Sequence, residues 1–361
     1  MKYPPVQYHD YLGLNALLGS QNMKSEEYGK KAHDEMLFII VHQTYELWFK
    51  QMLFELDSVL ETFSQKQIDE SQMGTAVARL ERIVTIQKYI NGQVDVLETM
   101  TPLDFLDFRD YLYPASGFQS FQWRCLETKL GLKAEQRLVY NQQPFYSQLQ
   151  TEQQNQMKEI LSRPSLFDLL EKWLERTPFL QTSTFSFWNS YQVAVEKLFA
   201  SDRKVIENNP RLSDEEKKRN LAQMEASLQT FSAIFDEARY KELQAQGHVR
   251  LSSKALQAAL LVQVYREQPI LQMPFRLIQA LLDLDEHMTQ WRYRHSLMAH
   301  RMLGRKIGTG GSSGHDYLKS ATERHKVFTD FFNLTTFLIP RSMIPELPAE
   351  LKARMSFQLS N

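Results

Sequence analysis

The chain has 361 residues, 43% hydrophobic and 24% charged, and its 42 basic and 43 acidic residues leave a formal net charge of -1. That balance excludes a nucleic-acid partner recruited by bulk positive charge, and the apolar content suffices for one large globular domain. Cys125 is the only cysteine, which excludes an intrachain disulfide, a thiolate zinc site and a two-cysteine haem attachment, and fits a reducing compartment.

Met1-Lys2-Tyr3-Pro4-Pro5 lacks the basic-then-apolar pattern of a signal peptide. No window approaches the roughly 20 apolar residues needed to cross a bilayer. The expectation is a cytoplasmic protein with no membrane partner.

The first strong element runs from about Asp34 to Phe63, with apolar residues at helical three and four spacing. His42 interrupts this apolar run. Phe38, His42, Tyr45 and Glu46 share one helical face, so an aromatic wall and a titratable ring are presented together. Two readings stay open: a core histidine bonded to nearby backbone, or a pocket group.

Next, Phe105 and Arg109 stand one helical turn apart, followed by Pro114-Ala115-Ser116-Gly117. An arginine beside aromatics offers a bidentate clamp for a carboxylate. A surface pairing with Asp107 or Asp110 is the alternative.

Glutamines crowd residues 142 to 156, and Asp202 to Arg219 mixes both charge signs; together they suggest a peripheral, mostly helical insertion at about 140–250. Inside it, Ser165 caps a helix carrying Leu166, Leu169, Leu170, Trp173 and Leu174, and Ser213 with Glu216 forms a capping box. Ser252 or Ser253 starts another helix, which the Gln268-Pro269 step ends. Pro274 suits the first turn of the longest helix, running to about Leu303 and about 45 Å long, with Gly304 at its C-terminal end.

On that last helix Trp291, His295, Met298 and Met302 form one stripe, a soft apolar surface with a single nitrogen donor, and His300 falls off it. Such a stripe serves either as core or as one axial bond to a flat macrocycle. His-Glu-x-x-His, paired Glu-x-x-His and carboxylate clusters at helical spacing are all missing. Gly308 to Gly314 follows, four glycines and three hydroxyls, either a plain linker or a cover for a small polar ligand. It lacks the lysine and spacing of a phosphate loop. Alternating strand patterns of useful length are absent, so the fold class expected is all-α, a helical bundle.

Taken together, Tyr8-His9-Asp10-Tyr11-Leu12, His33 to Trp48, Phe105 to Ser120, Trp173 to Pro178 and His295 to Gly314 resemble the tryptophan 2,3-dioxygenase family over most of the chain, in its longer, animal-type form. The resemblance implies a helical bundle around non-covalent haem b, one per subunit. It implies His295 as axial ligand to the haem iron and His42 as the catalytic histidine on the opposite side. Phe38 and Phe105 would enclose the indole, Arg109 would clamp the carboxylate, and Thr309 would contact the polar end. Ser116 and Gly117 would neighbour the oxygen side of the haem. Tyr8, Tyr11 and Leu12 would complete a neighbouring subunit's pocket in a homotetramer. The implied reaction inserts both atoms of dioxygen across the indole C2-C3 bond of L-tryptophan, giving N-formylkynurenine, the first step of the kynurenine route. A haem protein of the same superfamily acting on another aromatic substrate, and a helical interaction protein without a cofactor, are the competing readings.

Overall fold

Capping side chains start many of the helices, and several do so where the sequence marks them. Ser165, Ser213 and Ser252 each accept from a backbone N-H in the first turn of their helix, and Asp168 and Glu216 return the bond to Ser165 and Ser213. Thr101 does the same with Asp104, and Pro102 occupies the first helical position, where no N-H is required. The computed structural model describes residues 3–137, 144–304, 306, 320–322 and 324–356.

After two short helical turns, Tyr8–Tyr11 and Leu14–Leu18, come α1 (Lys24–Tyr28), α2 (Glu35–Phe63), α3 (Glu70–Leu97), α4 (Pro102–Arg109), α5 (Phe121–Leu130) and α6 (Thr151–Leu161). They are followed by α7 (Leu166–Leu174), α8 (Phe187–Glu207), α9 (Asp214–Phe235), α10 (Glu237–Ala245), α11 (Ser253–Val264) and α12 (Gln272–Leu303). No strand occurs among the described residues, where an isolated bridge between Gln181 and Ser186 is the limit of β pairing. The all-α expectation therefore holds. Pro274 is the third residue of α12, and Gly304 follows the helix with φ 56°, the left-handed geometry that glycine tolerates best. Helix α11 stops at Val264, short of the Gln268-Pro269 step, because Tyr265 leaves helical geometry and its hydroxyl donates to the Pro345 carbonyl at 2.8 Å.

The chain divides into two compact units, one of residues 1–57, 81–163 and 284–326, the other of 58–80, 164–283 and 327–361. In the first, Phe49, Met52, Leu56, Ile90, Val94, Phe108 and Leu126 are buried. Each contributes about 1.5–3 kcal/mol on leaving water. In the second, Phe167, Phe187, Tyr191 and Tyr240 are buried, and Asp330 accepts from the backbone N-H groups of Arg250 and Leu251 at 2.6 Å each. The stretch anticipated as an insertion contributes residues 144–163 to the first unit and 164–250 to the second. No helix among the described residues is long and apolar enough to cross a membrane.

Candidate active site

Four segments of the first unit bring the flagged residues together. Helix α2 presents Phe38, His42, Tyr45 and Phe49 in successive turns; α4 presents Phe105, Phe108 and Arg109; α5 presents Trp123; and α12 presents Trp291 and His295. The rings form a continuous chain of contacts. Phe38 lies 5.8 Å from Phe105, 5.5 Å from Phe108 and 4.0 Å from His42, and Phe105 meets Phe108 edge-on at 5.4 Å. Tyr45 then links His42 (6.4 Å) to Trp291 (6.1 Å), and Trp291 stacks on His295 at 5.3 Å and 12°. Such pairs favour offset or edge-to-face contact and hold each other's orientation.

The sequence left two readings of His42 open, and the structure carries parts of both. Its Nδ1 lies 2.7 Å from the Phe38 carbonyl oxygen. A carbonyl only accepts, so Nδ1 carries the proton and Nε2 keeps a lone pair. Burial lowers the His42 pKa against the opposing pull of that carbonyl and of Glu46, so the ring is neutral at pH 7. Yet its side chain retains substantial accessible surface. Strong desolvation and open surface coexist when the surface faces a recess enclosed by protein.

His295 lies close enough to His42 for the two imidazoles to interact electrostatically. Burial, then the nearby His42, push its pKa down to about 4, so it too is neutral. Its imidazole has no hydrogen-bond partner among the described residues. Close by, the Tyr45 hydroxyl and Trp291 Nε1 are buried, and neither makes a hydrogen bond of normal geometry. Burial pushes the Tyr45 phenol up to about 12, with Arg294 and the Trp291 N-H opposing. Buried polar groups are rarely left unpaired. The Tyr45 hydroxyl and the Trp291 N-H face each other, whereas the His295 imidazole faces no protein partner among the described residues, which fits a site shaped for a further occupant. No group of three or more His, Cys, Asp or Glu among the described residues could hold a bare metal ion. A single neutral histidine is the donor set that a haem, bringing four nitrogens of its own, requires.

The remaining flagged residues fall into three groups. Arg109 is half-buried at the end of α4, one turn beyond Phe105. Ser116 caps the turn Gly117–Gln119, and nothing lies within 4 Å of where a Gly117 side chain would begin. Tyr8, Tyr11 and Leu12 are exposed, the tyrosines 74% and 78% so. Thr309 and the rest of Gly308 to Gly314 lie outside the described residues. Glu46, expected on the pocket face, instead accepts from Ser120 Oγ (2.6 Å) and Gln122 Nε2 (2.8 Å), tying α2 to the start of α5.

Sequence reasoning missed Phe108 and Trp123, which pack on Phe38, Phe105 and Trp291, and the buried carboxylate of Glu127, which pairs with Arg292 next to Trp291. Trp123 and Arg124, each one helical turn before Glu127, were the available signal.

Comparison with known proteins gives the same direction. The sequence profile of the family described as tryptophan 2,3-dioxygenase matches residues 3–338. The chain is 67% identical to a tryptophan 2,3-dioxygenase of Bdellovibrio bacteriovorus over 99% of both proteins, and 48% identical to that of Alteromonas mediterranea over 98% of both. It is 47% identical to tryptophan 2,3-dioxygenase B of Danio rerio, over 95% of this chain and 84% of that one. A matched profile over nearly the whole length, together with two neutral histidines linked by one chain of aromatic rings, identifies the chain as a member of the tryptophan 2,3-dioxygenase family, whose enzymes are haem-dependent.

Proposed function

We propose that this protein is the dioxygenase that opens the indole C2-C3 bond of L-tryptophan to give N-formylkynurenine, with His295 holding a non-covalent haem b, one in each subunit. The observation that carries the reading is the pair of uncharged imidazoles on α2 and α12, one bonded through Nδ1 to Phe38 and the other without a partner among the described residues. When bound, the haem supplies the binding and activation of dioxygen. A lone cysteine cannot make two thioether bonds, which supports non-covalent attachment.

The chain's own residues bind and orient. His42 Nε2, with its free lone pair, accepts from the indole N-H and so fixes which edge of the ring faces the reacting oxygen. Phe38 and Phe105 sandwich the ring and exclude water. Arg109, one turn from Phe105, clamps the carboxylate in a charge-assisted pair, and Thr309 meets the polar end. Ser116 and Gly117 would neighbour the bound haem, and the space beside Gly117 is open.

The active form in this reading is a cytoplasmic homotetramer in which Tyr8, Tyr11 and Leu12 complete a neighbour's pocket. Ile40, Leu47 and Phe54 stand at seven-residue spacing on α2, all exposed, as do Tyr89 and Val96 on α3. Apolar stripes of that regularity are the surfaces helices use to pack on other helices. We also read the chain as one dioxygenase domain, with residues 140–250 an accessory helical region.

The deciding experiment adds tryptophan and oxygen to the reduced, haem-loaded protein and follows the near-ultraviolet absorbance of N-formylkynurenine. Its absence, with haem bound, overturns the substrate assignment. Light scattering that gives a monomer overturns the tetramer.

A further inference from the structure

A buried charge cluster sits beside the candidate site. The Glu127 carboxylate on α5 is 1% exposed and receives Arg137 Nη1 at 2.6 Å, Arg292 Nη2 at 3.0 Å and Arg124 Nη1 at 3.3 Å, with His325 Nδ1 at 3.7 Å. Burial alone would raise its pKa, but Arg137, His325, Arg292 and Arg124 outweigh that and hold it well below the usual range. Three guanidiniums therefore converge on one ionised carboxylate out of water, and breaking such a hub leaves buried charge uncompensated.

Arg292 belongs to α12, three residues before His295. Trp291, four residues before His295, packs on Trp123 of α5 at 4.5 Å. At about 100° per residue these two attachments lie about 60° to one side of His295 and about 40° to the other. They bracket the histidine's direction around the helix axis. On a further face, Arg294 binds Asp95, Glu98 (3.5 Å) and the Asn91 carbonyl (2.7 Å), but Asp95 is solvent-exposed and the bond is correspondingly weak. A ring nitrogen about 6 Å from a helix axis moves about 1 Å for each 10° of rotation. An iron-nitrogen bond tolerates only a few tenths of an ångström.

We propose that Glu127 is a positioning residue for His295, fixing the rotation of α12 through Arg292 so that the imidazole meets the haem iron in one orientation. This rests on the reading that His295 is the axial ligand. Glu127 touches no substrate and exchanges no proton.

The test compares three variants of the haem-loaded protein: Glu127→Gln, Arg292→Lys and Arg137→Lys. The last perturbs the same carboxylate but does not lie on α12. The readouts are thermal stability, haem transfer to excess apomyoglobin and the ferrous iron-histidine vibrational band. Glu127→Gln and Arg292→Lys should speed haem loss by about 10–100-fold and shift or broaden the band, whereas Arg137→Lys should lower stability with the band unchanged. Should Glu127→Gln fail to fold, Arg292→Lys against Arg137→Lys decides alone. If both lysine variants lower stability and leave haem release and the band as in the wild type, the hub is only structural and the inference is overturned. A wild-type protein without any iron-histidine band overturns instead the assignment of His295 as ligand.

Discussion

Gly29 offers a direct test of how the carboxylate clamp is held. It ends α1, and a side chain added there would place its first carbon 2.2 Å from the Tyr111 hydroxyl oxygen and 3.0 Å from Cζ. The glycine side of this contact is braced. The buried Glu35 carboxylate accepts from Lys24 N at 2.7 Å and Ser25 N at 2.9 Å, and Ser25 Oγ accepts from Ala32 N at 3.0 Å. Tyr111 must therefore yield, by about 1 Å to reach an ordinary contact, and it belongs to the turn Asp110–Leu112 immediately after Arg109. Tyr111 is 37% exposed, so its ring can swing outward and the cost stays below the about 1–3 kcal/mol of overpacking a core, and a misplaced substrate-positioning group appears as weaker binding. Steady-state kinetics of Gly29→Ala should show the apparent KM for tryptophan raised about two- to fivefold, less than the about 1.4 kcal/mol of a tenfold change, with kcat changed less. Adding Tyr111→Phe removes the closer contact and leaves the 3.0 Å one, so the double variant should recover part of the loss. A Gly29→Ala enzyme with unaltered KM would show that the turn does not transmit to Arg109, and the reasoning would fail.

Removing the clamp itself, Arg109→Ala, deletes a charge-assisted pair worth about 1.5–3 kcal/mol and should raise KM roughly ten- to a hundredfold; unchanged saturation removes Arg109 from the site. Purified His295→Ala should lack normally ligated haem, while His42→Ala should keep its haem spectrum and lose much of its rate; the opposite pattern would exchange their roles. The haem-free protein should lose stability in acid. His295 has a folded pKa of about 4 against about 6.5 unfolded, so the unfolded chain binds the extra proton first. Stability is then full above about pH 6.5 and falls by about 3 kcal/mol on the way down to pH 4. Denaturant melts that are flat over that interval would refute a neutral, buried His295. Activity should fall on the same side, since protonating His42 removes the Nε2 acceptor, and its lowered pKa sets that limb below the ordinary histidine value.

The helices and the candidate residues are legible from local patterns in the chain. Period 3.6 apolar patterns, Ser165 and Ser213 with their return bonds, and Gly304 after α12 are local signals, because caps and turns are satisfied within a few residues. The same periodicity put Phe38 and His42 on one face and Trp291 and His295 on another. What those faces meet is set by packing between distant segments. The Glu46 carboxylate turned to Ser120 and Gln122, α11 ended early when Tyr265 found Pro345, and Glu127 gathered arginines from positions 124, 137 and 292. Those partners are up to 165 residues apart along the chain. Their pairing follows from helix packing and the cost of leaving buried charge alone, which no window of sequence contains.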